Sequence, residues 1–320
     1  MSIGPRVSNL DGGRRTARLA LPVVDGDGTG FTRWPPAGER TEEFSLKVSD
    51  TTLSGLLARP EASRPRAVLV AIHGANMHAG YFDAQMAPGL SLMDLGSQHG
   101  YTVWAPDRPG IGASAGLDDG RIQLMAQADL LLDAIDEFAA QHPYGAGFVL
   151  VGHSYGLKVA WTMAAAARGA KLLGVDGSGS GVRYAFEWKR DADRPEKIAA
   201  DMRRRMWGPA DLYPEGTISR RSLPVHPMPD AQASEGGRWP DDIQRMAAQI
   251  TVPLRLTFAE YEALWPTDPE SLETIHRTFI NARSLTIEIE PGAGHNLSLG
   301  WAARSYHRKV VAFAESLSGG

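Results

Sequence analysis

The segment GFVLVGHSYGLKVAWTMAAAA, from Gly147 to Ala167, constrains the fold more than any other. A short apolar run stops at Gly152, Ser154 sits between Gly152 and Gly156, and an alanine-rich segment with helical character follows at once. A buried strand that turns within one residue into a helix forces that residue into a strained backbone conformation, and only small neighbours let the turn close. The pattern predicts that Ser154 stands out at the carboxyl end of a strand. Its hydroxyl would lie at a helix N-terminus, where free N–H groups and the dipole favour developing negative charge.

The flanking chain extends this picture. AVLVAIHG from Ala67, YTVWAPDRPG from Tyr101, KLLGVDG from Lys171 and VPLRLTFAE from Val252 are continuous apolar runs, as in strands buried on both faces. Phe44, Leu46 and Val48 alternate with polar residues and predict a half-exposed strand, with a hairpin partner over Leu53–Leu57. Ser284–Glu290 alternates and reads as an edge strand. Helical spacing marks Leu124–Phe138, Leu157–Ala167 and Trp301–Leu317. Alternation of buried strands with helices predicts an α/β fold, a mostly parallel twisted sheet covered by helices on both faces. Residues 41–176 and 249–320 form its core, and residues 1–40, rich in Gly, Arg, Asp and Pro, are expected to be an irregular arm.

Residues 177–248 break the rhythm. They carry Trp188, Trp207, Tyr213, Trp239, several methionines and a helical stripe of Ile198, Met202 and Met206, and they read as a helical cap inserted over the sheet. Asn76, Trp188, Met202, Met206 and Trp207 are the candidates to line a substrate pocket; cap core is the competing reading for the Met and aromatic residues. GSGSG, Gly177–Gly181, reads as a flexible entry into the cap, because no clear helix starts on it to bind phosphate.

A serine hydroxyl needs a base. His295, in PGAGHNLSLG between the last strand and the last helix, opens onto the same rim as Ser154. The imidazole in turn needs a carboxylate. LTFAEYEALW offers Glu262, the preferred acid, with Glu260 and Asp176 as alternatives. An oxyanion needs two donors: the N–H of Tyr155, and one from the loop after AVLVAIHG, namely Ala75 or else Asn76. His153 and His73 read as buried, hydrogen-bonded histidines of the frame.

Composition excludes other classes. The 320 residues contain no cysteine, so disulfides and thiolate chemistry are ruled out. Net charge is −4, and the one basic triplet, Arg203–Arg205, lies in a helical pattern, so no nucleic-acid partner is expected. No apolar run reaches the ~20 residues that cross a bilayer, and the N-terminal apolar stretch is too brief for a signal segment. A protein of the cytoplasm without a membrane partner is expected. Asp25–Gly28 reads as a turn rather than a calcium loop, and no metal or cofactor is called for.

With these features in place, the sequence over about residues 43–318 resembles the α/β-hydrolase superfamily. The resemblance rests on His73-Gly74 after a strand, DRPGIGAS at Asp107–Ser114, the Ser154 turn, the acidic loop, and GAGH ending in His295. It implies an α/β-hydrolase fold and the chain order serine, acid, histidine, with Asp107 shaping a structural loop. A glutamate stands where this superfamily more often has aspartate. Serine at position 154 speaks against the aspartate-nucleophile members, the dehalogenases and epoxide hydrolases. The resemblance implies a serine hydrolase, esterase- or thioesterase-like, acting through an acyl-enzyme on a small-molecule ester or thioester with a medium-to-large apolar acyl group. An acyltransferase or cyclase using the same residues, and a ligand-binding protein on a hydrolase scaffold, are the alternatives.

Overall fold

The apolar runs assemble into one eight-stranded sheet. The computed structural model describes residues 40–166, 171–186, 202, 204–218 and 228–319. The arm up to residue 39, Trp188, Ile198 and Arg203 lie outside the described residues. The strands are β1 (Thr41–Val48), β2 (Thr51–Ala58), β3 (Val68–Ile72), β4 (Thr102–Pro106), β5 (Phe148–His153), β6 (Leu172–Ser178), β7 (Leu254–Ala259) and β8 (Leu285–Glu290). Their order is β1-β2-β4-β3-β5-β6-β7-β8. The β1–β2 and β2–β4 pairs are antiparallel and all others parallel.

The described helices of five residues or more are α1 (Leu92–Gln98), α2 (Leu124–Gln141), α3 (Tyr155–Ala166), α4 (Asp230–Ser234), α5 (Trp239–Met246), α6 (Pro269–Thr278) and α7 (Ala303–Ser318). Alternate strand residues feed two cores, one on each face of the sheet, as a pleat with period two requires. Val68, Val70 and Ile72 join α2, α3 and α5 on one side. Leu69, Ala71, Val149 and Val151 join α1 and α7 on the other. Burying each of these Val, Leu and Ile side chains stabilises the fold by about 1.5–3 kcal/mol. The central strands β3, β4 and β5 are buried along their whole length, whereas β8 at one edge is only partly covered.

None of the four short helices, α1, α4, α5 and α6, is marked individually by the sequence pattern. Helix α5 belongs to the region expected as a cap, yet its Trp239 and Ile243 lie in the same core as Trp161 of α3. The Trp161 and Trp239 rings stack with 6.0 Å between centroids. Strand β6 continues through Gly177 and Ser178, and residues 177–182 are all buried. The Gly177–Gly181 stretch is therefore part of the packed frame rather than a flexible entry.

Register places the site. Ile72 is level with Gly152, and His153 with Ser178, across the three adjacent strands β3, β5 and β6. The loops that leave β3, β5, β6, β7 and β8 at their carboxyl ends consequently share one rim.

Candidate active site

Strand β5 ends at His153 and α3 begins at Tyr155, so Ser154 alone makes the turn. It has φ 52°, in the left-handed region, a strain of order 1–3 kcal/mol for a non-glycine residue that its surroundings must hold. They do so through hydrogen bonds. The Ser154 N–H donates to the Ser178 carbonyl at 2.8 Å, and the Ser154 carbonyl accepts from the N–H of Leu157 at 3.0 Å. The flanking glycines are obligatory: a Cβ on Gly156 would lie 2.1 Å from the Ile72 carbonyl oxygen, and one on Gly152 2.5 Å from Leu157 Cα.

His295 arrives on the loop after β8 with its side chain fully buried. Its Nε2 is 3.1 Å from Ser154 Oγ. Its Nδ1 lies 3.0 Å from Glu262 Oε2 and 3.2 Å from Oε1. Glu262 Oε1 also accepts from the N–H groups of Ala263 and Leu264 at 3.1 and 3.0 Å. An ionised carboxylate only accepts, so Nδ1 carries the proton and Nε2 is left to receive one from the serine hydroxyl. The structure thus brings Ser154, His295 and Glu262 together.

The two alternative acids lie elsewhere. Glu260 accepts from the N–H of Gly292 at 2.7 Å and bonds no imidazole. Asp176 is buried inside β6, next to Arg255 in the β6–β7 register, and receives Arg255 Nη1 at 2.6 Å and the Tyr306 hydroxyl at 3.4 Å. Burial raises the Asp176 pKa, and the Arg255 charge opposes that rise.

Two glycines hold the imidazole. Gly179, with φ 63°, is pressed so close that a Cβ there would lie 2.8 Å from His295 Cε1 and 2.9 Å from His153 Cε1. A Cβ on Gly294 would meet the Tyr213 hydroxyl at 2.3 Å. His153 stacks on Tyr81, 4.5 Å between centroids, and its Nδ1 is 3.1 Å from Ser178 Oγ. Burial holds its pKa well below the ordinary histidine value, with the neighbouring His295 adding to the effect. It is a neutral ring beneath the turn.

For the oxyanion candidates, Tyr155 is the first residue of α3, so its N–H has no intrahelical acceptor. Gly74 lets the other loop approach: a Cβ there would be 3.2 Å from Ser154 Cβ. Ala75 follows it, half-buried. Asn76, at φ 58°, uses its Oδ1 to accept from the Met228 N–H at 2.9 Å. His73 donates from Nδ1 to the Gly74 carbonyl at 2.9 Å and accepts at Nε2 from the Arg108 N–H at 3.0 Å, which fixes its neutral tautomer.

Of the pocket candidates, Trp207 packs edge-on against Tyr213. Its carbonyl lies against Gly294, beside His295. The Met206 carbonyl accepts from Asn296 Nδ2 at 3.1 Å. Met202 packs against the core on the α3 side.

Sequence reasoning missed Trp265, whose Nε1 donates to the Gly179 carbonyl at 2.8 Å. It also missed two buried cations, Arg108 and Lys158, which lie 4.6 and 6.0 Å from the centroid of the Tyr155 ring. Lys158 donates to the Tyr184 hydroxyl at 2.6 Å and lies 5.0–5.3 Å from the ring centroids of Tyr184, Trp239 and Trp265. Burial lowers its pKa to about 7. Their signal in the sequence is faint, since one follows Asp107 in a loop and the other sits one helical turn after the serine.

Among the described residues no group of three His, Cys, Asp or Glu is arranged to hold a metal ion, and no helix is long and apolar enough to cross a membrane.

Residues 68–312 match a family model described as "Alpha/beta hydrolase family". No curated protein matches the sequence. Several solved structures are similar. A highly thermostable carboxyl esterase from Bacillus coagulans is 14% identical, with TM-score 0.61 over 88% of this chain and 100% of the other. An N-acyl homoserine lactonase, complexed with N-hexanoyl homoserine, is 15% identical, with TM-score 0.63 over 87% and 97%. A thioesterase domain from the curacin biosynthetic pathway is 19% identical, with TM-score 0.55 over 85% and 99%. At these identities the likeness is one of fold.

Proposed function

Since the chain belongs to the alpha/beta hydrolase family, we propose that it is a serine hydrolase that cleaves a carboxylic ester or thioester through an acyl-enzyme. The observation that carries this reading is the hydrogen-bonded series from Ser154 Oγ through His295 to Glu262. Ser154 Oγ attacks the carbonyl carbon as its proton passes to His295 Nε2. The N–H groups of Tyr155 and Ala75 hold the resulting oxyanion. Glu262 stabilises the imidazolium, which then protonates the departing alkoxide or thiolate. Water, losing a proton to the same Nε2, attacks the acyl carbon. The free acid leaves and Ser154 recovers its hydrogen.

Residues 177–248 serve in this reading as a cap over the rim, and Asn76, Met206 and Trp207 face a mostly apolar acyl group. The carboxyl esterase and thioesterase among similar structures agree with an ester or thioester bond. A second reading, acyl transfer to an alcohol or amine, is favoured by the complete burial of the His295 side chain, because exclusion of water lets another acceptor compete.

A fluorophosphonate probe tests the first claim. Wild-type protein is expected to be labelled at Ser154 and to hydrolyse p-nitrophenyl esters of medium and long acids, and Ser154→Ala to do neither. Wild type that resists both the probe and a panel of esters and thioesters overturns the enzyme reading in favour of a binding protein. Product analysis with added alcohol or amine separates hydrolysis from transfer.

A further inference from the structure

Arg108 is fully buried, and every partner of its side chain is neutral. Nη1 donates to Gln127 Oε1 at 2.8 Å and to Gln232 Oε1 at 2.9 Å. Nη2 reaches the Gly74 carbonyl at 3.4 Å, and the guanidinium lies 4.6 Å from the centroid of the Tyr155 ring. Its Nε is buried without a hydrogen-bond partner. Burial lowers its pKa to about 10, so it stays charged at neutral pH. A buried cation without a counter-ion is costly, and an apolar side chain would fill the space more cheaply.

The contacts explain why a guanidinium stands there. The Gly74 carbonyl and the Ala75 N–H belong to one peptide unit, which is planar and trans, so they point in opposite directions. That carbonyl accepts from His73 Nδ1 at 2.9 Å and from Arg108 Nη2 at 3.4 Å, and the two donors together aim the N–H. The other face of the same guanidinium contact is Tyr155, whose own N–H is the second donor next to Ser154. Tyr155 is further tied by its hydroxyl, which donates to Glu235 Oε2 at 3.0 Å and accepts from Gln127 Nε2 at 3.3 Å. From the loop after β4, Arg108 therefore touches both residues that set the donors. Gln232 on α4 holds the fork from the far side, and its Nε2 donates to the Pro109 carbonyl at 3.3 Å.

We propose that the Arg108 side chain is a positioning residue that holds the Ala75 and Tyr155 N–H groups in register for the oxyanion formed at Ser154. This rests on the serine-hydrolase reading above. The backbone bond from the Arg108 N–H to His73 does not depend on the side chain and is open to Met or Lys at this position, so these variants isolate the guanidinium. Misplaced donors weaken transition-state stabilisation without weakening substrate binding.

The test compares wild type with Arg108→Met and Arg108→Lys on a p-nitrophenyl ester, each counted by fluorophosphonate titration of active serine. Affinity for an aryl trifluoromethyl ketone, which forms an oxyanion adduct with a serine, is measured alongside. In both variants kcat per titrated site is expected to fall by about 10- to 100-fold. KM should stay within about 2-fold, and ketone affinity should drop by the same factor as kcat. Lys keeps the charge and loses the fork, so recovery of wild-type kcat in Arg108→Lys overturns positioning in favour of charge alone. Unchanged kcat per site with fewer active sites overturns it in favour of a purely structural role, and a raised KM with unchanged kcat in favour of a substrate contact. If neither variant folds, Gln127→Leu and Gln232→Leu, each removing one prong, decide by the same readouts. Wild type that the probe does not label at Ser154 refutes the hydrolase reading first and takes this inference with it.

Discussion

Glu262 meets the His295 imidazole through both carboxylate oxygens, at 3.0 and 3.2 Å from Nδ1, while two backbone N–H groups hold its Oε1 in place. Glu262→Gln keeps the size but offers an amide that no longer demands the Nδ1–H tautomer. We expect kcat to fall by about 10²- to 10⁴-fold with KM little changed, read from steady-state ester kinetics.

Asp176 gives the contrasting result. It forms a buried ion pair with Arg255, at 2.6 Å. Removing one partner of such a pair costs about 3–5 kcal/mol. Asp176→Asn should lower stability in urea unfolding by less than that amount, because Arg255 retains Glu288 at 2.9 Å. Its kcat per folded molecule should match wild type. A loss of kcat as large as that in Glu262→Gln would reverse the two roles.

Gly179 and Gly292 share φ 63° but not their surroundings. A Cβ at 179 collides with His295, whereas one at 292 meets nothing within 4 Å. Gly179→Ala is expected to reduce kcat by at least about 10-fold by displacing the imidazole. Gly292→Ala should leave kcat intact and cost only about 1–2 kcal/mol of backbone strain. The pair separates steric from conformational effects, and equal kcat in both would show that His295 tolerates the displacement.

Acid should weaken the fold through its buried histidines. His307 is fully buried, and burial lowers its pKa to about 3; His153 is lowered as well. Between about pH 3 and the ordinary value near 6.5 the unfolded chain binds protons that the folded chain refuses, so stability rises with pH over that window. On acidification the loss starts near pH 6.5 and grows as pH falls. Thermal midpoints from pH 7.5 to 4.5 should decline, with a shallower slope in His307→Gln. Identical slopes would exclude His307 as a contributor.

Much of this molecule is readable from residue order alone, for identifiable reasons. Strands such as Val68–Ile72 and Phe148–Val151 are buried on both faces, so their sequences are apolar without interruption. The Ser154 turn is local, and its small-residue spacing marks it in the sequence, although only Gly152 is required by near neighbours and Gly156 by the Ile72 carbonyl of another strand. His295 needs only its place between β8 and α7 to be singled out. Gly179 is different: what demands it is an imidazole 116 positions later, and in sequence it resembles an ordinary loop glycine. Arg108 and Lys158 escaped notice because charged residues are normally exposed, and only the tertiary structure surrounds them with amides and aromatic rings. Asp176 could be weighed as an acid only while its cross-strand neighbour Arg255 was unseen. Helices α1, α4, α5 and α6 are short, and their stability comes from packing that periodicity does not record.

The left-handed turn at residue 154 is fixed from outside the side chain it displays. Ile72, Leu157 and Ser178 dictate that backbone through main-chain contacts and would do so for another small side chain in the same place. The scaffold thus supplies a fixed mount, indifferent to the reactive atom fastened on it. Exchanging oxygen for sulfur there, as in Ser154→Cys, becomes a change of reagent rather than of architecture.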